Sequence, residues 1–161
     1  MRVGVGYDVH RFAPEGSGRT LVLGGLEFEG VPGLEGHSDA DVVLHAIADA
    51  ILGAAALGDI GDHFPPSDPR WRDVDSRALL HSVVQLARTE FEVHNIDLTV
   101  IAEAPKIGPM RAPMRESIAS AVGIGVDRVS VKATTNERLG SIGRGEGIAA
   151  IAVVLLEEER G

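Results

Sequence analysis

The order in which strand-like and helix-like segments follow one another restricts the fold of this chain more than any other feature of its sequence. Apolar runs bounded by glycine, proline or polar residues predict the strands 2–8, 20–23, 26–28, 96–102, 128–134 and 147–156. Capping residues and stop signals predict the helices 38–57, 75–91 and 111–122. This order is typical of an α/β fold of the α+β type. We therefore expect a two-layer sandwich with a mixed β-sheet and helices on one face, in a single domain over residues 1–161, with strand 147–156 at its centre.

Few aromatic residues are available to fill the interior. They make up 4% of the 161 residues, while hydrophobic residues make up 44%. Aliphatic side chains and alanine must therefore form most of the core. Core layers built from small residues are thin, and such proteins often complete their burial at a subunit interface. The composition leads us to suspect an oligomer.

The net charge of −9 at pH 7 bears on the partners of the chain. A duplex-binding module needs a basic face, so no nucleic-acid partner is expected. A phosphate-bearing ligand remains compatible, because divalent cations can supply local positive charge. The apolar run 42–57 is interrupted by His45 and Asp49 and predicts no membrane span. Since the N-terminus also shows no signal peptide, we expect a cytoplasmic protein.

Cysteine is absent, so a zinc site would have to use histidine, aspartate or glutamate. Asp8 and His10 lie two residues apart on, or just past, a predicted strand. Such residues project to the same face, where a carboxylate and an imidazole could share one ion. From this strand alone, the simpler interpretation is that Asp8 caps a turn and His10 is exposed.

A second group of histidine and aspartate lies at the start of the first predicted helix, for which Ser38 is the expected N-cap. His45 shares a helix face with Asp41 and Asp49, and an aspartate one turn away could orient a metal-bound imidazole. The alternative is a buried His45 that is hydrogen-bonded to Asp41, with Asp49 in solvent. Added to the strand pair, His45 would make three ligands and leave a fourth tetrahedral position open, as in catalytic zinc sites.

Other segments could contact a phosphate-bearing ligand. Residues 132–137 offer hydroxyls, backbone amides and Glu137, a candidate Mg2+ ligand, although a polar turn with a solvated glutamate is an equal alternative. The glycines of 143–147 would allow close backbone approach, or form an ordinary connection. Residues 102–106 could line a base or ribose pocket, or Lys106 could be a surface lysine. The long segment 59–71 predicts a functional loop.

Taken together, these segments resemble the 2-C-methyl-D-erythritol 2,4-cyclodiphosphate synthase family from Arg2 to about Leu155. The matching stretches are 6–12, 37–45, 52–61, 64–65, 104–106, 132–135 and 143–147. Each stretch alone is weak, but all of them in the same order make coincidence implausible. The resemblance implies a two-layer protomer, a homotrimer with active sites between subunits, and an isoprenoid diphosphate as a ligand of the central channel.

The resemblance also implies roles for individual residues. Asp8, His10 and His45 would bind Zn2+, and Glu137 would hold Mg2+ or Mn2+ with the substrate phosphates. His37 and Thr135 would act as catalytic residues that stabilise the transition state. The residues expected to contact the substrate are Asp8, Val9, His10, His37, Ser38, Asp59, Ile60, Gly61, Phe64, Pro65, Asp68, Ala102, Pro105, Lys106, Ile107, Gly108, Thr134, Thr135, Asn136, Glu137, Ser141 and Arg144.

The implied reaction converts 4-diphosphocytidyl-2-C-methyl-D-erythritol 2-phosphate into 2-C-methyl-D-erythritol 2,4-cyclodiphosphate and CMP, in non-mevalonate isoprenoid biosynthesis. The enzyme would be a metal-dependent phosphorus–oxygen lyase. Two other hypotheses are a zinc-dependent phosphohydrolase and a non-catalytic trimeric protein that binds isoprenoid diphosphates. The sequence departs from the family pattern at Pro66, where many members carry aspartate, at Asn136 and at 141–142. None of these is a proposed metal ligand.

Overall fold

The computed structural model of the protein describes residues 1–36, 38–71 and 74–158. Its main sheet has four strands in the order β1 (Arg2–Arg11), β6 (Gly147–Glu158), β4 (Phe91–Ile101) and β5 (Val129–Thr134). Strand β6 runs antiparallel to β1 and β4, whereas β4 and β5 are parallel. The predicted mixed sheet is confirmed, and so is the inner position of segment 147–156.

A separate two-stranded hairpin pairs β2 (Thr20–Leu23) with β3 (Leu26–Pro32). Gly24 and Gly25 form its turn, with φ angles of 62° and 76°. Two successive positive φ angles are typical of the tight turns that match the twist of a hairpin, and glycine adopts them without steric cost. The strand pair expected on either side of these glycines is confirmed.

The helices of the described residues lie between these strands. They are α1 (Val42–Ala55), α2 (Ile60–His63), α3 (Ser76–Ala87), α4 (Arg111–Val122) and α5 (Gly140–Gly143), with short 3-10 turns at Pro69–Trp71, Gly108–Met110 and Val126–Arg128. Helix α4 has the bounds that the sequence predicts. No helix in ranges 1–36, 38–71 and 74–158 has the length and apolarity that crossing a membrane requires.

Helix α1 begins three residues later than predicted, and Ser38 is not its N-cap. The Asp41 side chain accepts hydrogen bonds from the backbone amides of Val43 and Leu44, and so caps the helix. Ala40, with φ of 57°, keeps the preceding backbone out of the right-handed helical region. The last capping-type residue before the apolar run is therefore the cap, rather than the first.

Two other boundaries differ from the prediction. Helix α3 ends at Ala87 instead of near Phe91, because Phe91 is buried in the core as the first residue of β4. The segment 59–71, predicted as a loop, contains α2 and a 3-10 turn. Asp59 caps α2 by accepting a hydrogen bond from the Asp62 backbone amide at 3.0 Å.

Helix α1 packs closely on strand β1. The side of β1 that faces α1 carries Gly4 and Gly6, where an added Cβ would lie 2.6 Å from the Ala54 amide nitrogen and 2.7 Å from the Ala50 amide nitrogen, respectively. Ala46, Ala50 and Ala54 of α1 are buried against this strand. Small residues on both elements therefore let the helix backbone approach the strand backbone, which gives the thin, alanine-rich core that the composition predicts.

The other face of the sheet, here called the open sheet face, carries exposed apolar side chains. Successive residues of β1 alternate between buried and exposed, as expected when only one face of a strand is covered. The expected placement of helices on one face agrees with this alternation. The exposed apolar residues of this face are Val3, Val5, Tyr7, Val9, Ile151 and Val153.

Replacing Gly6 with alanine should destabilise the protein, because the new Cβ would overlap the Ala46 carbonyl oxygen. We expect Gly6→Ala to lower the free energy of unfolding by about 1–3 kcal/mol in urea denaturation, as overpacking of a core does. Gly53→Ala is the matched control, since a Cβ at Gly53 in α1 meets no atom within 4 Å. This control should be neutral or stabilising, because glycine disfavours helices. Equal stability of the two variants would contradict the close packing.

Candidate metal centre

The C-terminal ends of three strands meet at one end of the main sheet. Strands β1, β4 and β5 point the same way, because β6 is antiparallel to β1 and β4, and β5 is parallel to β4. The register places Val9, Ala149, Ile101 and Thr134 side by side across the sheet. The segments predicted to bind metal, nucleotide and phosphate therefore lie along the same end of the sheet.

Asp8, His10 and His45 converge at the β1 side of this end. The Oδ2 atom of Asp8 lies 3.0 Å from His45 Nδ1 and 3.2 Å from His10 Nε2. One candidate ligand atom from each residue lies within 4.8 Å of the other two. The predicted convergence of these residues is confirmed, and the alternative of a separate capping Asp8 and exposed His10 is wrong.

The packing of α1 on β1 explains why the three residues meet. Asp8 and His10 continue the alternation that puts Gly4 and Gly6 on the helix side of β1. His45 lies in the first turn of α1 and faces the strand at the level of Asp8. The glycines bring the helix close enough for side chains of ordinary length to touch.

Both imidazoles are oriented by a second hydrogen bond. His10 Nδ1 lies 2.6 Å from the Glu35 carbonyl oxygen, which can only accept, so this nitrogen carries a proton. His45 Nε2 lies 2.9 Å from Ser76 Oγ and 3.2 Å from Ser38 Oγ. A neutral ring that donates through its outer nitrogen directs the lone pair of His10 Nε2 or His45 Nδ1 toward Asp8, whereas a protonated ring donates to the Asp8 carboxylate from that atom.

This donor set fits a zinc ion. Two neutral imidazole nitrogens and a carboxylate oxygen that face one another repel unless a cation lies between them. Zinc is commonly bound by such histidine and carboxylate ligands, and three protein ligands leave a position for substrate. Among residues 1–36, 38–71 and 74–158, these three form the one group of at least three acidic or histidine side chains with this spacing.

Asp41 does not orient His45, which is a correction to the sequence prediction. Its carboxylate is fully buried and accepts hydrogen bonds from the amides of Gly24 at 2.9 Å and Gly25 at 2.7 Å, besides capping α1. Burial raises the pKa of Asp41 to about 6, although the backbone amides of Gly25, Gly24 and Leu44 favour its charged form. Asp41 therefore ties the hairpin turn to the start of α1.

The electrostatics of the centre follow from the shared Asp8 carboxylate. Burial would raise the pKa of Asp8, but its hydrogen bonds with His10 and His45 outweigh this effect and hold the pKa far below its usual range. Burial would lower the pKa of His10, and the hydrogen bond and charge of Asp8 raise it above its ordinary value. The centre therefore keeps a negative carboxylate available for a cation.

A cavity of about 220 Å³ lies beside the metal centre. It brings together several residues expected to contact the substrate, namely Asp8, His10, Ser38, Ile60 and Phe64, and it is also lined by His45, Asp49, Pro66, Trp71 and Leu79. Phe64 and Trp71 pack edge to face at 4.9 Å between ring centroids. One wall of the cavity is thus polar and the other is apolar.

Asp49 is bonded to the segment that lines one side of this cavity. Its Oδ1 atom accepts a hydrogen bond of 2.8 Å from the Ile60 backbone amide. Asp49 is half-buried, which raises its pKa, so the alternative in which it lies in solvent is wrong. Asp59 and Gly61 flank Ile60, and the exposed Arg70 forms an ion pair with Asp68 at 2.6 Å. Pro65 and Asp68 belong to the same segment but do not line the cavity.

A second cavity, of about 500 Å³, is also lined by His10. Val9 and Ser141, both expected to contact the substrate, line it together with Arg11, Phe12, Ile142, Glu146 and Gly147. The exposed Arg144 forms an ion pair with Glu146 at 2.6 Å beside it. The glycine-rich segment 143–147, which connects α5 to β6, therefore lies beside His10.

The segments predicted to bind nucleotide and phosphate are joined at the β4–β5 side of the sheet end. Glu103 Oε1 accepts hydrogen bonds from the amides of Asn136 at 2.9 Å and Arg138 at 3.3 Å, and the Ala102 amide donates to the Thr134 carbonyl at 3.0 Å. Thr135 Oγ1 donates to Glu137 Oε1 at 3.0 Å. In the following loop Ile107 is buried, while Lys106 and Gly108 are exposed and Pro105 follows a cis peptide bond.

The structure does not bring these two groups of residues together within one chain. Strands β1 and β5 are the two outer strands of the sheet, and three spacings of about 4.8 Å separate them by about 14 Å. Thr134, Thr135, Asn136 and Glu137 are therefore remote from the Asp8 centre. His37, the other predicted catalytic residue, lies outside the described residues.

Sequence reasoning missed several residues of the centre. Ser76 contacts His45 from the start of α3, Asp39 in the loop before α1 bonds to Ser76, and Glu103 joins two loops. Trp71 Nε1 is buried without a hydrogen-bond partner among the described residues.

The sequence gives different signals for Ser76 and Glu103. Ser76 resembles any residue that follows a helix cap, so no sequence signal marked it. Glu103 lies between Ala102 and Pro105, two residues expected to contact the substrate.

The fold and these ligands define a two-layer α/β protein with a candidate Asp–His–His metal centre at one end of its sheet. The YgbB family matches residues 1–157, and the chain belongs to this family. The 2-C-methyl-D-erythritol 2,4-cyclodiphosphate synthase of Geobacter sulfurreducens is 58% identical over 160 residues, which cover 99% of this chain and 100% of that protein.

Solved structures agree with this assignment. The CDP complex of IspF from Plasmodium falciparum is 34% identical with a TM-score of 0.86, over 99% of this chain and 97% of that one. The bifunctional IspDF of Campylobacter jejuni is 41% identical with a TM-score of 0.92. That match covers 98% of this chain but 42% of the bifunctional protein, so this chain corresponds to less than half of it.

The raised pKa of His10 gives a test of the metal-free centre. The stability contributed by the Asp8–His10 pair should be complete below the ordinary histidine value and be lost as pH rises through the raised pKa of His10. We expect Asp8→Asn to lower the His10 pKa measured by NMR titration of the zinc-free protein. Asp97→Asn is the control, since it removes one exposed carboxylate that pairs with Lys132 instead. An unchanged His10 pKa in Asp8→Asn would contradict the described contact.

Proposed function

We propose that the chain converts 4-diphosphocytidyl-2-C-methyl-D-erythritol 2-phosphate into 2-C-methyl-D-erythritol 2,4-cyclodiphosphate and CMP, as a single-domain enzyme of non-mevalonate isoprenoid biosynthesis. The observation that carries this proposal is the Asp8–His10–His45 centre in a chain 58% identical to a synthase of that name. Because the reaction breaks a phosphorus–oxygen bond and forms a cyclic product, the enzyme would be a lyase. The Asp8–His10–His45 centre would make it dependent on metal.

The chemistry needs charge neutralisation and alignment more than a strong base. An oxygen of the 2-phosphate attacks the β-phosphorus, the bond from that phosphorus to the bridging oxygen breaks, and CMP leaves with the electron pair. The attacking phosphate is already an anion, so no side chain has to remove a proton from it. This agrees with the absence of cysteine and with a site built from metal ligands and hydroxyls.

Asp8, His10 and His45 would hold Zn2+ on the polar side of the 220 Å³ cavity. Bound there, Zn2+ would neutralise charge on phosphate oxygens and hold the reacting groups in line. Ser38 offers its hydroxyl at the same wall, and the apolar side chains of Phe64 and Trp71 limit the access of water. Folding the substrate so that its ends meet supplies up to about 7–11 kcal/mol in favourable cases.

The β4–β5 side of the sheet end is the proposed cytidine and phosphate site. Residues 102–108 and Thr134 would form the cytidine pocket, since Glu103 already holds this loop against residues 136 and 138. Glu137 would hold Mg2+ or Mn2+ together with substrate phosphates, because one exposed carboxylate plus phosphate oxygens suits such ions. Thr135 and His37 would stabilise charge in the transition state, and Arg144 would contact phosphate or an isoprenoid diphosphate in a central channel.

We further propose that the active enzyme is a homotrimer whose sites lie between subunits. The zinc ligands and the nucleotide segment lie at opposite edges of one sheet, about 14 Å apart, so a single chain holds two halves of different sites. A ring of like subunits brings one edge of each chain against the other edge of its neighbour. The open sheet face, with six exposed apolar side chains, is suited to burial at such an interface.

The direct test is incubation of the purified protein and authentic substrate with Zn2+ and Mg2+. We expect CMP and a cyclic diphosphate in equal amounts, and about one zinc per chain by metal analysis. His45→Ala should lose both zinc and CMP release, while the control His94→Ala should retain both, since His94 pairs with Glu157 away from the centre. A linear phosphate product would favour a phosphohydrolase, and the absence of CMP would reject the proposed reaction.

The homotrimer is tested by placing a charge on the open sheet face. Val5→Glu should give monomers in sedimentation experiments and abolish CMP release, because a charged residue buried at an interface is costly. Zinc should still bind, since all three ligands come from one chain. Leu86→Glu, an equally drastic change at an exposed residue of α3, is the control and should leave both properties intact. A trimeric, active Val5→Glu would contradict the proposed interface.

A further inference from the structure

Ser76 joins the metal centre to a carboxylate that contacts no proposed metal ligand directly. Its Oγ atom lies 2.9 Å from His45 Nε2, on the side of the ring away from Asp8. The same hydroxyl donates a hydrogen bond to Asp39 Oδ1. Ser76 is 1% exposed, so water does not compete for these bonds. The result is a continuous chain of contacts from Asp39 through Ser76 to His45.

The direction of the hydrogen bonds in this chain is fixed by Asp39. A charged carboxylate can only accept, so the Ser76 hydroxyl proton points to Asp39 and the serine oxygen presents a lone pair to His45. His45 must then donate from Nε2, which leaves Nδ1 unprotonated on the side of Asp8. Ser38 Oγ is the more distant neighbour of His45 Nε2, at 3.2 Å, and already accepts from the Ala40 amide.

Asp39 is itself held rigidly between two helices. Its Oδ2 atom accepts a hydrogen bond of 3.0 Å from the Ser76 amide, at the N-terminus of α3, where negative charge is favoured. Its Oδ1 atom accepts one of 3.2 Å from the Asp41 amide, just before α1. These bonds fix the position of Asp39, and its link to the candidate metal centre runs through the Ser76 hydroxyl.

We propose that Asp39 and Ser76 are positioning residues that fix the orientation and tautomer of His45 and so strengthen metal binding at the Asp8–His10–His45 centre. The inference rests on the proposed function only in taking zinc as the ion of this centre. A histidine ligand whose outer nitrogen is held by such a partner keeps its coordinating nitrogen unprotonated and correctly aimed. His10 has a carbonyl oxygen in the equivalent place, so the two imidazoles are oriented by different means.

The first experiment measures Zn2+ affinity by calorimetry on the full chain. Ser76→Ala should weaken Zn2+ binding about 10–100-fold, the usual effect of removing such a partner. Ser82→Ala is the matched control, because Ser82 lies on the same helix and its hydroxyl bonds only to the Ala78 carbonyl. Ser76→Thr retains the hydroxyl and should restore much of the affinity. Zinc affinity of Ser76→Ala within about threefold of the parent would overturn the proposal.

The second experiment separates positioning from a general effect on folding. Nitrogen-15 NMR of the zinc-free protein should show His45 protonated at Nε2 in the parent, and a loss of this preference in Ser76→Ala. Thermal unfolding of the same variants reports any structural damage independently. If Ser76→Ala fails to fold, Asp39→Asn supplies the test, since an amide can donate to the serine oxygen as well as accept from its hydroxyl, so the direction of that hydrogen bond is no longer fixed. An unchanged tautomer and Zn2+ affinity in Asp39→Asn would then count against the proposal.

A double-mutant cycle tests whether Asp39 acts through Ser76. Asp39→Asn alone should weaken Zn2+ binding, whereas adding it to Ser76→Ala should cause little further loss, since the link is already broken. Fully additive losses would reject the relay. These readouts do not depend on the reaction: a parent protein that binds Zn2+ but releases no CMP would reject the proposed function and leave this inference standing.

Discussion

The close contact between strand β1 and helix α1 is the constraint on which the metal centre depends. Gly4 and Gly6 leave no side chain between the two backbones, and the facing alanines of α1 keep the layer thin. At this separation Asp8 Oδ2 and His45 Nδ1 are 3.0 Å apart without any adjustment of either element. A larger residue at either glycine would push the helix outward and separate two ligands that come from different layers of the fold.

Two aspartates at the N-terminal side of α1, the buried Asp41 and the half-buried Asp39, complete this arrangement. Asp41 caps α1 and accepts hydrogen bonds from both glycines of the hairpin turn, so the hairpin, the helix and the centre are held as one unit. Asp39 links the same region to the start of α3 through Ser76. Each carboxylate is surrounded by backbone amides or a hydroxyl, which is how a folded chain accommodates buried charge. The acidic residues around this centre thus orient helices and ligands, in addition to supplying one ligand.

The sheet topology places the two groups of predicted site residues at opposite edges of one sheet. Because β1, β4 and β5 run in the same direction, all three send their C-terminal residues to the same end, yet β1 and β5 are the outermost strands. One chain therefore has the candidate metal centre at one edge and, at the other, the loop whose Glu103 side chain bonds to the amides of Asn136 and Arg138. This separation is the reason for proposing a ring of subunits as the form of the enzyme.

The sequence by itself determined the mixed α/β class, the inner position of β6, the bounds of α4 and the identity of the three candidate ligands, because periodicity, glycine stops and histidine–aspartate spacing are local signals. It misjudged the cap of α1, since several capping-type residues precede the apolar run and only the packed structure selects Asp41. It also assigned the orientation of His45 to an aspartate one helical turn away, whereas the tertiary structure gives that contact to Ser76, thirty-one residues away. Contacts between separate elements depend on how layers pack, and no spacing within one element encodes them.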